Sequence, residues 1–178
     1  LFLCSGSVIH AMGGDQDMRQ MGGLRKKIPL TFWTMLIGAI ALIGVFPFAG
    51  FWSKDDILGS IWRDGKYFLW VVGIIAAFIT AFYTFRMIFM TFHGESRLDH
   101  HAEEHFHDVG WDMKGPLVAL AIPSLAIGFF TVGPWLFGGF FEGAIHVRPG
   151  NDVLEAVKEE FHGPFAFELT RTMREITM

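Results

Sequence analysis

Lys54 and its neighbours Asp55 and Asp56 directly follow a run, Ile28 to Ser53, that contains no Asp, Glu, Lys or Arg. An uncompensated charge at bilayer depth costs at least about 2.5 kcal/mol on insertion scales, so an ionisable residue there is a candidate for function. Desolvation and a neighbouring carboxylate pull a lysine's proton affinity in opposite directions, and a group so balanced can load and unload a proton. The placement of Lys54 turns on the segment Phe46-Pro47-Phe48-Ala49-Gly50. If the helix breaks there inside the membrane, Lys54 lies on its second half, with Asp55 and Asp56 as counter-charges. If Pro29 to Phe46 already spans the bilayer, Ser53-Lys54-Asp55-Asp56 is an interfacial helix cap. The residues alone leave both placements open.

Other side chains carry weaker chemistry. Arg86 sits near the end of an apolar run and is either an anchor that snorkels toward head groups or a residue with a transport role. His10 lies at the end of a short apolar segment and is either a proton relay or an interfacial histidine. His101 and His105 are four apart and would share one helix face, but the order is not the metalloprotease pattern H-E-x-x-H. The acidic, Gly- and His-rich stretch around them, His93 to Lys114, reads as a solvated loop. A single cysteine, Cys4, allows neither an internal disulfide nor a cysteine-ligated cluster, and is read as a packing residue.

Long apolar elements must position these groups. Of 178 residues, 52% are hydrophobic and 18% charged, and the charges fall in blocks. Tyr67 to Phe85 and Gly115 to Phe141 are also free of Asp, Glu, Lys and Arg. A helix needs about 20 apolar residues to cross a hydrocarbon layer of about 30 Å. The reading is an all-α, polytopic transmembrane bundle. Residues 1–145 would form the membrane region: the end of one span, a broken span over 29–63, and spans over 67–92 and 115–141. Taken as one helix, Pro29 to Arg63 would be about 50 Å long and must break or leave the membrane. Its second half is expected to start near Phe51, with Ser53 and Asp55 or Asp56 in the first turn. Residues 146–178 read as an amphipathic extramembrane tail, with Asn151 as N-cap and Val153, Leu154, Val157 and Phe161 at helical spacing.

Charge supplies a direction. Arg19, Arg25, Lys26 and Lys27 cluster in the loop from Asp17 to Lys27, the usual mark of a cytoplasmic face, with the basic residues from Lys54 to Lys66 as the competing signal. A net charge of −4 without a basic stripe gives no field for nucleic acid. The sequence opens on Leu1 in the middle of an apolar run and carries no basic region before it. The expectation is a piece cut from a longer protein, without a signal peptide.

Several motifs occur in one order: Ser5-Gly6-Ser7-Val8-Ile9, Met21-Gly22-Gly23-Leu24-Arg25-Lys26, Ile28-Pro29, Gly50-Phe51-Trp52-Ser53-Lys54-Asp55, Tyr83-Thr84-Phe85-Arg86-Met87 and Phe92-His93-Gly94. In this the chain resembles the subunit L (subunit 5) family of proton-pumping NADH:quinone oxidoreductase, respiratory complex I, among the antiporter-like membrane subunits. The motifs carry the resemblance over Leu1 to Gly94, and hydropathy carries it beyond. It implies a bundle with discontinuous helices, irregular backbone at membrane depth being tolerated inside protein or beside water. It also implies that Lys54 belongs to the terminal part of a proton path, with Asp55 as its acidic neighbour.

The implied function is proton translocation coupled to electron transfer, as a non-redox subunit that does not act alone. Flavin, iron–sulfur clusters and quinone would belong to partner subunits. Partners would be other membrane-arm subunits, the lipid bilayer and protons, in a multi-pass protein of the bacterial inner membrane. Two rivals remain. One is a relative built on the same helices, either the large subunit of a multisubunit sodium/proton antiporter or the membrane subunit of a proton-coupled hydrogenase. The other is a non-transporting membrane scaffold.

Overall fold

Proline and glycine divide the chain into its elements. The computed structural model describes residues 1–98 and 106–132, together with 134, 135, 138, 140, 141, 143 and 144. All regular elements among these residues are helical: α1 (Phe2–Ala11), α2 (Pro29–Ile43), α3 (Ala49–Arg63), α4 (Tyr67–Phe92) and α5 (Trp111–Val132). His101, His105 and the tail over 146–178 lie outside the described residues.

Pro29 opens α2, where its missing N–H would be unpaired in any case. Gly44 ends α2 in the left-handed conformation, φ +87°, which a residue without Cβ adopts freely. Its N–H and that of Val45 both donate to the Ile40 carbonyl. The break therefore spans 44–48, ahead of the expected Phe46-to-Gly50 segment, because glycine rather than proline stops the helix. The Phe46–Pro47 peptide within it is cis.

The start of α3 also differs from expectation. It begins at Ala49, with Phe48 as N-cap, no side-chain capping bond and no acidic residue in its first turn. Ser53, Asp55 and Asp56 are thus not its first-turn residues. Gly50 is helical, and it is there for contact: a Cβ on it would collide with the Ala41 carbonyl of α2. The end of α2 and the beginning of α3 lie backbone against backbone.

At 1.5 Å per residue, α4 is about 39 Å long and α5 about 33 Å, whereas α2 and α3 are each about 22 Å. Only α4 and α5 are, among the described residues, long and apolar enough to cross a membrane. The span expected over 115–141 is a helix over Trp111–Val132. It starts outside the charge-free stretch because Lys114 is held by Asp108 at 2.6 Å, so the charge sits at the helix mouth. Pro116 and Pro123 lie within it, as membrane helices tolerate.

The core gathers at one end of the bundle. Cys4, Val8 and Ala11 of α1 pack with Phe32, Met35 and Ala39 of α2, Ile88 and Phe92 of α4, and Leu117 of α5. Toward the other end α4 is bare: Phe68 is 78% and Phe78 72% exposed, and only 6% of its most apolar stretch is buried. Side chains of that kind are stable against lipid or further helices, not against water.

Candidate functional site

The motif from Gly50 to Asp55 forms the crossing between the two short helices. Gly50 lets α3 reach the Ala41 carbonyl. The Ser53 hydroxyl donates to the Gly50 carbonyl at 3.3 Å. Trp52, 3% exposed, points the other way. Its indole N–H donates to the Pro47 carbonyl at 3.4 Å, and its ring fills the space above Gly128 of α5, where a Cβ would collide with it. Phe46, Phe51 and Trp52 meet one another with ring centroids 5.6 to 5.9 Å apart, closing the break with an aromatic wall.

Lys54 points back at the break. Its Nζ donates to the carbonyl of Ile43, the last residue of α2, at 3.2 Å. That carbonyl belongs to the group a helix end leaves without an internal partner, at the negative end of the α2 dipole. The lysine stem runs over Gly44, where a Cβ would sit 3.0 Å from Cδ. Lys54, Asp55 and Asp56 are all half-buried, and both aspartates are engaged in interactions of their own. Lys54 is thus a cap, but of the preceding helix: an ammonium set at the C-terminal end of the first half of a discontinuous pair.

The other sequence candidates separate from this site. Arg86 lies exposed on the outer side of α4. His10, exposed in the last turn of α1, meets His107 edge-on with centroids 5.3 Å apart, a pairing across 97 positions that nothing in the sequence signals. Among the described residues, no group of three or more His, Cys, Asp or Glu is arranged to hold a metal. Cys4 is buried, with its Sγ 3.6 Å from the Thr34 hydroxyl.

One feature that sequence reasoning missed is the docking of two motifs noted only as markers. The Met21–Lys26 loop is bonded to the end of α4: Gly23 N–H donates to the His93 carbonyl and Arg25 N–H to the Phe92 carbonyl. Arg97 completes the clamp, its Nε donating to the Met21 carbonyl at 2.6 Å and its Nη2 to the Met90 carbonyl at 2.8 Å. Gly22 is required, since a Cβ there would collide with the Glu95 backbone. The adjacent glycines at 22 and 23 were the available signal.

Residues 1–80 match the family described as NADH:quinone oxidoreductase/Mrp antiporter, TM. NADH-quinone oxidoreductase subunit L of Neisseria meningitidis serogroup A is 41% identical over 186 aligned positions, covering 93% of this chain. The chain belongs to this antiporter-like membrane family. Subunit L of Rhodobacter capsulatus is 48% identical over 139 positions, 72% of the chain. NAD(P)H-quinone oxidoreductase chain 5 of Synechocystis is 42% identical over 205 positions, 90% of the chain. The family likeness therefore reaches well past Gly94, where the recognisable motifs stop. The chain spans between 20% and 29% of the length of these curated relatives.

Proposed function

We propose that this chain is part of a proton-translocating membrane-arm subunit of NADH:quinone oxidoreductase, with Lys54 as the proton-carrying residue and Asp55 as its acidic neighbour. The observation that carries this reading is the Lys54 Nζ held on the Ile43 carbonyl across a helix break. A lysine that only anchored the chain would reach for head groups; this one reaches into the gap between two short helices. Ammonium and neutral amine both keep N–H groups, so Lys54 can lose and regain a proton while still donating to Ile43.

Redox energy released elsewhere in the complex would change the electrostatics along the membrane arm and move the proton on and off Lys54. The subunit itself would be non-redox and inactive alone, with flavin, iron–sulfur clusters and quinone held by partner subunits. The setting would be a multi-pass protein in the bacterial inner membrane, packed against lipid and neighbouring membrane-arm subunits.

The test is Lys54→Met in the full-length subunit within the assembled complex, with NADH-driven proton uptake into membrane vesicles measured beside the amount of complex. Assembly retained with proton uptake lowered supports the proposal. Normal uptake overturns it and favours the scaffold reading, whereas loss of the complex itself marks Lys54 as structural. A pull-down without NADH-oxidising partners would move the assignment to the sodium/proton antiporters or the proton-coupled hydrogenases.

A further inference from the structure

His10 and His107 carry chemistry that the proton path does not use. His10 lies in the last turn of α1, and His107 precedes α5 by four residues. Their rings meet with centroids 5.3 Å apart and planes at 80°. Imidazole in its neutral form is the commonest metal ligand. Two imidazoles on one tetrahedral zinc, with Zn–N of about 2.0–2.1 Å, hold their ring centroids about 5 Å apart. The two backbones therefore already stand at the separation that one shared ion requires. Both side chains are exposed, so turning the rings about their side-chain bonds aims one nitrogen of each at a common point.

The backbones beneath the rings are anchored in one core. Val8, Ala11 and Met12 around His10 are buried, as is Val109 two residues after His107, and Phe106 packs against the same cluster. The His10 carbonyl accepts from the Gly13 N–H at 3.1 Å. The Lys27 ammonium stands 5.1 Å from the centroid of the Phe106 ring. An ion would thus meet two donors whose spacing is set before it arrives, which lowers the ordering cost of binding. Lys27 also places the pair at the end of the bundle that carries the basic loop, where an aqueous cation has access.

The donor set chooses the ion. Asp108, beside His107, is taken up by Lys114 at 2.6 Å, so the pair offers two nitrogens and water fills the remaining positions. Imidazole suits zinc, nickel and copper, whereas magnesium and calcium take oxygen ligands.

We infer that His10 and His107 form a two-histidine site for a divalent transition-metal ion, of which zinc is the test case. The bound ion ties the end of α1 to the segment that leads into α5. It touches neither Lys54 nor the α2–α3 break, and the inference stands whether or not Lys54 carries a proton.

The experiment measures modification of each histidine by diethyl pyrocarbonate, resolved by mass spectrometry, in the full-length subunit of the assembled complex with zinc, with magnesium, and with zinc followed by a chelator. At zinc about ten times its Kd the site is about 90% filled, so both rates should fall roughly tenfold, with one concentration dependence, and recover on chelation. Magnesium should protect neither. In His10→Gln, zinc should no longer protect His107, and in His107→Gln it should no longer protect His10. Protection of His107 that persists in His10→Gln means that zinc is held by other groups and overturns the inference. Absence of protection in the unaltered protein overturns it as well. If both variants lose the complex, the pair serves packing and the inference falls.

Discussion

Replacing Gly44 with alanine perturbs the site without touching an ionisable group. Gly44 and Gly65 both sit at left-handed φ, +87° and +71°, so alanine at either position carries the same backbone penalty of about 1–2 kcal/mol. They differ in surroundings. Nothing lies within 4 Å of a Cβ at Gly65, whereas one at Gly44 would sit 3.0 Å from the Lys54 Cδ and 3.3 Å from the Gly50 carbonyl oxygen. The lysine stem can shift, but the Gly50 backbone is fixed by its own contact with Ala41. Overpacking of this kind adds about 1–3 kcal/mol. Gly44→Ala should therefore cost about 2–5 kcal/mol and Gly65→Ala about 1–2 kcal/mol. The assay is heat-induced loss of the subunit from the full complex, resolved on native gels, with proton uptake measured on the fraction that survives. Gly44→Ala should lower uptake because the new methyl pushes Lys54 off the Ile43 carbonyl, and Gly65→Ala should leave it unchanged. Equal stability losses and equal uptake in the two variants would refute the placement of the lysine over Gly44.

Trp52 and Gly128 should behave as a coupled pair. Trp52→Ala removes a buried indole at a cost of about 3–5 kcal/mol, and Gly128→Ala expels it, so in a double-mutant cycle read by heat stability the two losses should fall well short of adding. The α1–α2 loop should respond to acid. The Arg19 guanidinium, bonded to Asp17 at 2.8 Å, holds the Asp17 carboxyl below its ordinary value of 3.8. The ion pair therefore contributes at pH above that value and is lost as pH falls through the lowered one. Because Arg19 is exposed and Asp17 only partly buried, the effect is small and screened by salt. Limited proteolysis of the loop should be flat with pH from neutral down to about pH 5 and rise only in stronger acid, and Arg19→Gln should abolish that rise.

Much of the architecture is written in local composition. The charge-free run from Tyr67 to Phe85 and the chemistry of Pro29 and Gly44 act within a turn or two of themselves, through desolvation and backbone sterics. Helix type, the apolar spans and the existence of a break therefore follow from the residues in order. The start of α3 is different: Gly50 sits inside the helix because α2 must approach it, and a helix boundary set by a neighbour leaves no mark in its own sequence. The clamp between the Met21–Lys26 loop and the end of α4 is only half legible: Gly22 and Gly23 mark a close approach, but the partners of Arg97 are backbone carbonyls, alike in every sequence. Lys54 stands between these cases. Its type, beside Asp55 and Asp56 after an apolar run, marked it as a candidate. Only the folding of α3 against α2 chose the Ile43 carbonyl as its partner, because such contacts depend on the path of the chain through space and not on its spacing along the sequence.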